Sequence, residues 1–190
     1  MTDVNTARSV NGIELPPAGA YAFDKAHTTV GFVARHMLSK VRGRFTEFDG
    51  QVKLGDVVED SSVQVDMKAE SITTDNEGRD QHLRGEDFLE AETYPTLSFA
   101  STGFRAAAGN AFELDGDLTI KGETHPVTLK GEFLGWGPGM QGGTLASFTA
   151  STTIDREDWD LTWNVAVETG GWLVGKKVDI VIDADLVLQD

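Results

Sequence analysis

The stretch Val178–Leu188 alternates, with Val178, Ile180, Ile182, Ala184, Leu186 and Leu188 set against Asp179, Asp183 and Asp185. Successive side chains of a strand point to opposite faces, so this segment reads as a strand with one apolar and one solvated side. The same period returns at Val63, Val65, Met67 and Ala69, at Leu114, Gly116, Leu118 and Ile120, and at Val127, Leu129 and Phe133. Leu97 shares a face with Phe99, Phe148 with Ile154, and Val30 with Phe32; further strands are expected at Tyr21–Phe23, Phe45–Leu54 and Thr162–Val167. Lys121-Gly122 reads as a tight hairpin, and Gly135–Gly143 as a flexible hairpin loop. About eight antiparallel strands with one apolar face each must close on themselves or pack as a sandwich. Strands this long, in hairpin order, favour closure. The expected fold is all-β: an extended eight-stranded antiparallel up-and-down barrel with one or two short helices.

The helices are expected where alternation breaks. Asp75-Asn76 can cap a helix through Glu77–Arg84 that ends at Gly85, and Arg156–Asp160 can make a second short turn. Residues 1–19, with Pro16, Pro17 and Gly19, read as a poorly ordered leader, and residues 20–189 as one domain. Cysteine is absent, so disulfides, thiolate nucleophiles and cysteine-bound metals are excluded and the fold must rest on its core. The chain carries 31 acidic against 16 basic residues, a formal net charge of −15. That balance argues against nucleic acid and against an anionic membrane surface, both of which need a basic footprint. No signal peptide and no apolar run of membrane-spanning length is seen, so a soluble cytoplasmic protein without a stable membrane anchor is expected.

Few residues offer chemistry. None of His27, His36, His82 and His125 stands in a pair with metal-ligand spacing, and His27 and His36, nine apart in one presumed strand, fall on opposite faces. Asp80 is placed to orient His82, which would make half of a hydrolase or isomerase site, but no G-x-S-x-G elbow exists; an ion-paired helix lid with Leu83 packed on the barrel is the simpler reading. The Gly135–Gly143 loop has no following Lys-Ser or Lys-Thr and lies between strands, which argues against a phosphate loop and for a plain hairpin connection. Arg35, Lys40, Arg42 and Arg44 form the only basic cluster, read either as an anionic headgroup site or as a solvated β-edge. Trp136, Trp159, Trp163 and Trp172 all fall in the last third, as core or as the lining of a cavity mouth.

The ordered motifs resemble a known family. They run from Asp24-Lys25-Ala26-His27 with Val30 and Phe32, through Val41-x-Gly43-x-Phe45 with Phe48, to Ile72-x-Thr74. Then come Arg79-Asp80-x-His82-Leu83, Asp87-Phe88, Tyr94-Pro95 and Phe99, followed by Gly116-x-Leu118-Thr119-Ile120-x-Gly122-x-Thr124 and Arg156-x-x-Trp159. Over roughly Ala20 to Leu188 the chain resembles the YceI-like family of lipocalin-like, polyisoprenoid-binding proteins. The resemblance implies a lipocalin-like barrel whose lumen holds a long isoprenoid chain, such as a quinone tail or a polyprenyl compound. The residues themselves are read as giving no catalytic site, no metal and no cofactor beyond that ligand, and the resemblance makes a homodimer possible. The expected ligand-lining residues are Phe32, Val65, Met67, Leu97, Phe99, Leu118, Ile120, Leu129, Phe148, Ile180 and Ile182, with a headgroup near Arg42 or Arg44. A hydrolase or isomerase using His82 and Asp80, and a solid-core stress protein without ligand, are the alternatives. Small inward residues such as Ala69, Gly116 and Gly131 either leave the lumen open or taper a filled one.

Overall fold

In the computed structural model the described residues are 8–140, 142–168 and 170–189. A small hairpin, β1 (Arg8–Val10) and β2 (Ile13–Leu15), stands apart from one large antiparallel sheet. That sheet comprises β3 (Gly19–Phe23), β4 (Thr29–His36), β5 (Ser39–Phe45), β6 (Phe48–Leu54), β7 (Ser62–Lys68), β8 (Ile72–Thr73), β9 (Thr96–Ala106), β10 (Ala111–Ile120), β11 (Glu123–Pro138), β12 (Thr144–Asp155) and β13 (Val174–Leu188). Three of its walls are bent strands: β3 continues as β4, β5 as β6, and β7 as β8. Counted by wall there are eight. β13 pairs with β12 along one edge and with β4 and then β3 along the other, which closes the sheet into an up-and-down barrel.

The bends have local causes. Between β3 and β4, Asp24 accepts the backbone N–H of Ala26 on its carboxylate (3.0 Å), while its carbonyl accepts from His27 and Thr28. Thr28 Oγ1 donates to Asp185 O at 3.1 Å and fixes the bend to β13. His27 therefore lies in this bend and not in a strand shared with His36: its Nδ1 is 2.8 Å from Asp24 Oδ2, at the surface. The expected continuous strand Phe45–Leu54 is likewise broken, at Thr46–Glu47, where Thr46 N donates to Ser71 O.

Thr162–Val167 is not a strand. Asn164 donates from Nδ2 to Val174 O and accepts on Oδ1 from the N–H groups of Val165 and Val174. Its amide thus occupies backbone groups at the start of β13 that a ladder would use, and a single bridge, Ala166 to Trp172, remains. At the other terminus, residues 1–7 of the expected leader lie outside the described residues, but Arg8–Leu15 form the hairpin β1–β2. Ile13 and Leu15 pack onto a buried cluster of Tyr21, Val52, Leu54, Phe133, Ala146 and Leu186, and the Arg8 guanidinium donates to the carbonyls of Pro16 and Gly55. Apolar contact with the distant Val52, Leu54, Phe133 and Leu186, and the buried carbonyl of Gly55, order a segment whose local composition does not.

The turns match their residues. Lys121 and Gly122 both take positive φ, 50° and 77°, as the two-residue turn between β10 and β11 requires. Gly135 and Trp136, expected in a loop, belong to β11, which bulges between Phe133 and Gly135; the connection to β12 begins beyond Pro138.

Inside, three glycines lie under phenylalanines. A Cβ on Gly43 would stand 2.3 Å from the Phe32 ring, one on Gly116 2.3 Å from Phe99, and one on Gly131 2.3 Å from Phe112. Each ring covers the glycine of a neighbouring strand, so Gly116 and Gly131 are places filled by aromatic rings and not open space. Gly131→Ala is expected to destabilise the fold by about 1–3 kcal/mol, since Phe112 and the Thr149 carbonyl must both yield. Urea unfolding of the variant against the parent chain measures this.

Candidate functional site

Closing the sheet turns the apolar faces of β3–β13 toward one another, yet the side chains do not fill the interior. A cavity of about 530 Å³ runs through the barrel. All eleven aliphatic and aromatic residues expected to line the lumen stand on its wall: Phe32, Val65, Met67, Leu97, Phe99, Leu118, Ile120, Leu129, Phe148, Ile180 and Ile182. On the outside of the same walls, acids of β13 meet hydroxyls of β12, with Ser147 donating to Asp185 (2.6 Å) and Thr153 to Asp179 (2.7 Å).

The cavity is shut at one end by the Tyr21–Leu186 cluster and its hairpin cover. It reaches the surface at the other, where the exposed Arg35, His36 and His82 line it. Helix α1 (Glu77–Arg84) lies at this mouth. Asn76 caps it by accepting from Arg79 N at 3.0 Å, and Gly85 closes it with bonds to the carbonyls of Gln81 and His82, as the sequence predicts. Its Arg79, His82 and Leu83 face the cavity.

Asp80 moors this helix. It is buried and accepts from Thr73 Oγ1 (2.9 Å), Thr74 N (2.8 Å) and Thr74 Oγ1 (2.5 Å). Burial opposes its charge, but the hydrogen bonds from Thr74 and Thr73 outweigh that and hold its carboxyl below the ordinary value. Asp80 therefore does not orient His82: both its oxygens are committed to the β8 end. His82 instead places Nε2 2.9 Å from Asp87 Oδ2 and stands edge-on to Trp163 and Phe88, with ring centres 4.5 and 5.0 Å away. Arg79 donates from Nε and Nη2 to Thr74, which ties the helix to the same corner.

Across the mouth, a short helical turn at Arg156–Trp159 follows β12, as expected. Trp159 is buried core, its Nε1 donating to Leu118 O at 3.0 Å, whereas Trp163 lines the cavity and Trp172 is exposed. Arg156 is also buried. Its Nε donates to Gly175 O at 3.0 Å and its Nη1 to Leu161 O, while Nη2 is buried with no hydrogen-bond partner among the described residues; burial pushes its pKa down.

Among the described residues, the ionisable groups on the cavity wall are thus Arg35, His36, Arg79, His82 and Arg156, with no carboxylate, in a chain whose net charge is −15. Arg42 and Arg44 are not on this wall. They alternate with Val41, Gly43 and Phe45 and so project from the outer face of β5, where Arg44 pairs with Asp75 at 3.3 Å. Alternation itself held the missed signal: continuing Phe148, Ala150 and Ile154 by two residues reaches Arg156, and continuing Val30, Phe32 and Ala34 reaches His36. The described residues include no group of three or more side chains able to hold a metal ion.

The lowered pKa of Asp80 has a signed consequence. A carboxyl whose folded pKa lies below its unfolded value of about 3.9 contributes stability that is present above that pH and is lost as pH falls through the folded pKa. Asp80→Asn is expected to cost about 1–3 kcal/mol at neutral pH, by leaving Thr73 and Thr74 donors poorly matched, and to flatten this acid dependence. Thermal unfolding of both proteins from pH 7 to pH 3 tests it.

Comparison with known proteins agrees with this architecture. A family model described as the YceI-like domain matches residues 21–186. A UPF0312 protein of Staphylococcus epidermidis is 36% identical over 174 residues, covering 90% of this chain and 98% of its own. Among solved structures, BcnA of Burkholderia cenocepacia superposes with a TM-score of 0.74 at 26% identity over 86% of this chain and 98% of that one. A polyisoprenoid binding domain from Saccharophagus degradans superposes with a TM-score of 0.62 at 14% identity, over 89% and 98%, a likeness of fold alone. With its eight-walled barrel, its mouth helix and a family match that extends from β3 to β13, this chain belongs to the YceI-like family.

Proposed function

We propose that this barrel binds, stores or carries a polyisoprenoid or another long apolar chain, such as a quinone tail or a polyprenyl compound, without transforming it. The observation that carries the reading is the apolar cavity of about 530 Å³, shut at one end and bordered by cations at the other. Its volume falls within the range of roughly 300–1,000 Å³ typical of small-molecule sites, and an eight-walled barrel is just wide enough for one slender ligand. Each Å² of apolar ligand surface removed from water contributes about 25 cal/mol, so a tail burying several hundred Å² gains on the order of ten kcal/mol before the costs of association. The binding named for the Saccharophagus degradans domain supports the same ligand class.

The asymmetry of the cavity orients the ligand. Its tail lies toward Leu54 and Leu186, and its polar head lies at the mouth beside Arg79 and Arg156. Arg42 and Arg44, on the outer face of β5, reach a head that extends past the rim. The commitment of Asp80 to Thr73 and Thr74 supports a non-catalytic reading, because it removes the partner that an Asp80–His82 site needs.

Lipid extraction and native mass spectrometry of the purified protein test the reading. A co-purified long-chain lipid is expected, and a protein that stays free of ligand after exposure to polyprenols overturns it. Replacing Ile180 and Ile182 by Trp fills the lumen from one wall and is expected to lower affinity for a polyprenol at least about tenfold, with the far-ultraviolet circular dichroism unchanged. Unaltered affinity would place the ligand outside the barrel. Arg42→Ala with Arg44→Ala, measured with a pyrophosphate-bearing prenyl ligand, tests whether the head extends past the rim: a weaker complex is expected if it does, and unchanged affinity confines the head to Arg79 and Arg156.

A further inference from the structure

Four of the eight large exposed apolar side chains among the described residues lie at the mouth of the barrel. Leu38 is 96% exposed, Trp172 61%, Met37 48% and Val165 46%. These four belong to two segments that are stitched together. Met37 N, at the tip of the β4–β5 hairpin, donates to Leu173 O at 2.7 Å, Leu173 N donates to Val165 O at 2.9 Å, and Ala166 bridges Trp172. The neighbouring residues His36, Leu173 and Val174 line the cavity, so the apolar rim borders its opening directly.

The same hairpin carries the chain's basic cluster. Arg35 pairs in register with Lys40, and Lys40, Arg42 and Arg44 follow at two-residue spacing along β5. Arg44 is engaged by Asp75, but Arg35, Lys40 and Arg42 make no salt bridge among the described residues. The acids of this end include Asp75, Glu77, Glu86 and Asp87 around helix α1, Glu168 before β13, and Asp155 and Glu157, which pair with Lys177 and Lys176.

A projecting Met-Leu tip flanked by unpaired cations is the pattern that inserts into the boundary of a lipid bilayer bearing anionic headgroups. The net charge of −15 does not forbid this contact. At physiological ionic strength a charge is screened beyond about 8 Å, so the acidic barrel wall is felt little by a surface that the hairpin touches. We propose that the β4–β5 hairpin, together with Val165 and Trp172, docks the mouth of the barrel onto an anionic lipid bilayer. A long apolar chain would then pass between membrane and lumen without crossing water. The proposal rests on the lumen reading above, but the docking itself is measurable without any ligand.

The experiment uses vesicles of phosphatidylcholine alone and vesicles of phosphatidylcholine with phosphatidylglycerol, mixed with the full chain and separated by flotation. The parent protein is expected to float with the mixed vesicles and less with the neutral ones. Met37→Asp with Leu38→Asp is expected to lower retention at least about tenfold, since two apolar side chains lose their burial. Lys40→Glu is expected to abolish the preference for phosphatidylglycerol, and a preference that survives it overturns the role of the basic collar. Loading of solanesol, a long polyprenol added from ethanol and read by native mass spectrometry, is expected to be equal in the parent and in Met37→Asp/Leu38→Asp.

A parent protein that does not float, or that floats as well after Met37→Asp/Leu38→Asp, overturns the docking even where solanesol still loads. Flotation that depends on Met37 and Leu38, in a protein that takes up no solanesol, upholds the docking and overturns the lumen reading instead. A dimer seen by light scattering that Met37→Asp/Leu38→Asp dissolves, in a protein that ignores vesicles, assigns the rim to a second copy and overturns the proposal.

Discussion

Everything in this molecule depends on the ladder between β12 and β13, which pairs eleven residues in register from Leu145 with Val187 to Asp155 with Lys177. Without it the sheet has two long free edges, each a row of unpaired backbone groups. With it, the apolar stripe of every wall is turned inward and every acid of the alternating pattern outward. The same pairing gives the outer acids partners, because Ser147 and Thr153 stand directly opposite Asp185 and Asp179. Closure therefore makes the interior apolar and the exterior polar in a single step.

A closed barrel of eight walls has room for its own side chains or for one guest. In this chain the balance is set by which side chains stand into the lumen. Phe32, Phe99 and Phe112 spread over Gly43, Gly116 and Gly131 on adjacent strands, so bulky rings are spent on covering the wall. The space they would otherwise occupy contributes to the cavity. Bulk near the closed end comes from a different source, the Tyr21–Leu186 cluster under the β1–β2 hairpin.

The mouth is built on other terms. Asp80 holds helix α1 through Thr73 and Thr74, Asn164 replaces a strand with a side-chain scaffold, and Arg156 is buried between Gly175 O and Leu161 O. Polar side chains here take the place of ladder bonds, which lets the end of the barrel stay open without leaving most of its backbone groups unpaired. The open end is thereby cationic on the inside and apolar on the rim, in a protein that is acidic nearly everywhere else.

Much of this is legible in the residue order. The period of two in Val63–Met67, Leu114–Ile120 and Val178–Leu188 determines which side chains share a face, and Asn76, Gly85 and Lys121-Gly122 determine where a helix and a hairpin begin and end. Those choices are local, because rotamer space, cap geometry and positive φ involve residues a few positions apart. Two others were settled by long-range contact. Arg8–Leu15 became a hairpin because distant Tyr21, Leu54 and Gly55 receive it, and Thr162–Val167 lost its ladder because Asn164 reached Val174. Arg42 and Arg44, conspicuous in a list of charges, were turned outward by the pleat, while Arg156 was carried onto the cavity wall. The sequence by itself determined two faces for each strand. Only closure of the sheet decided which face surrounds a cavity, because inside and outside exist only after the first and last walls have paired.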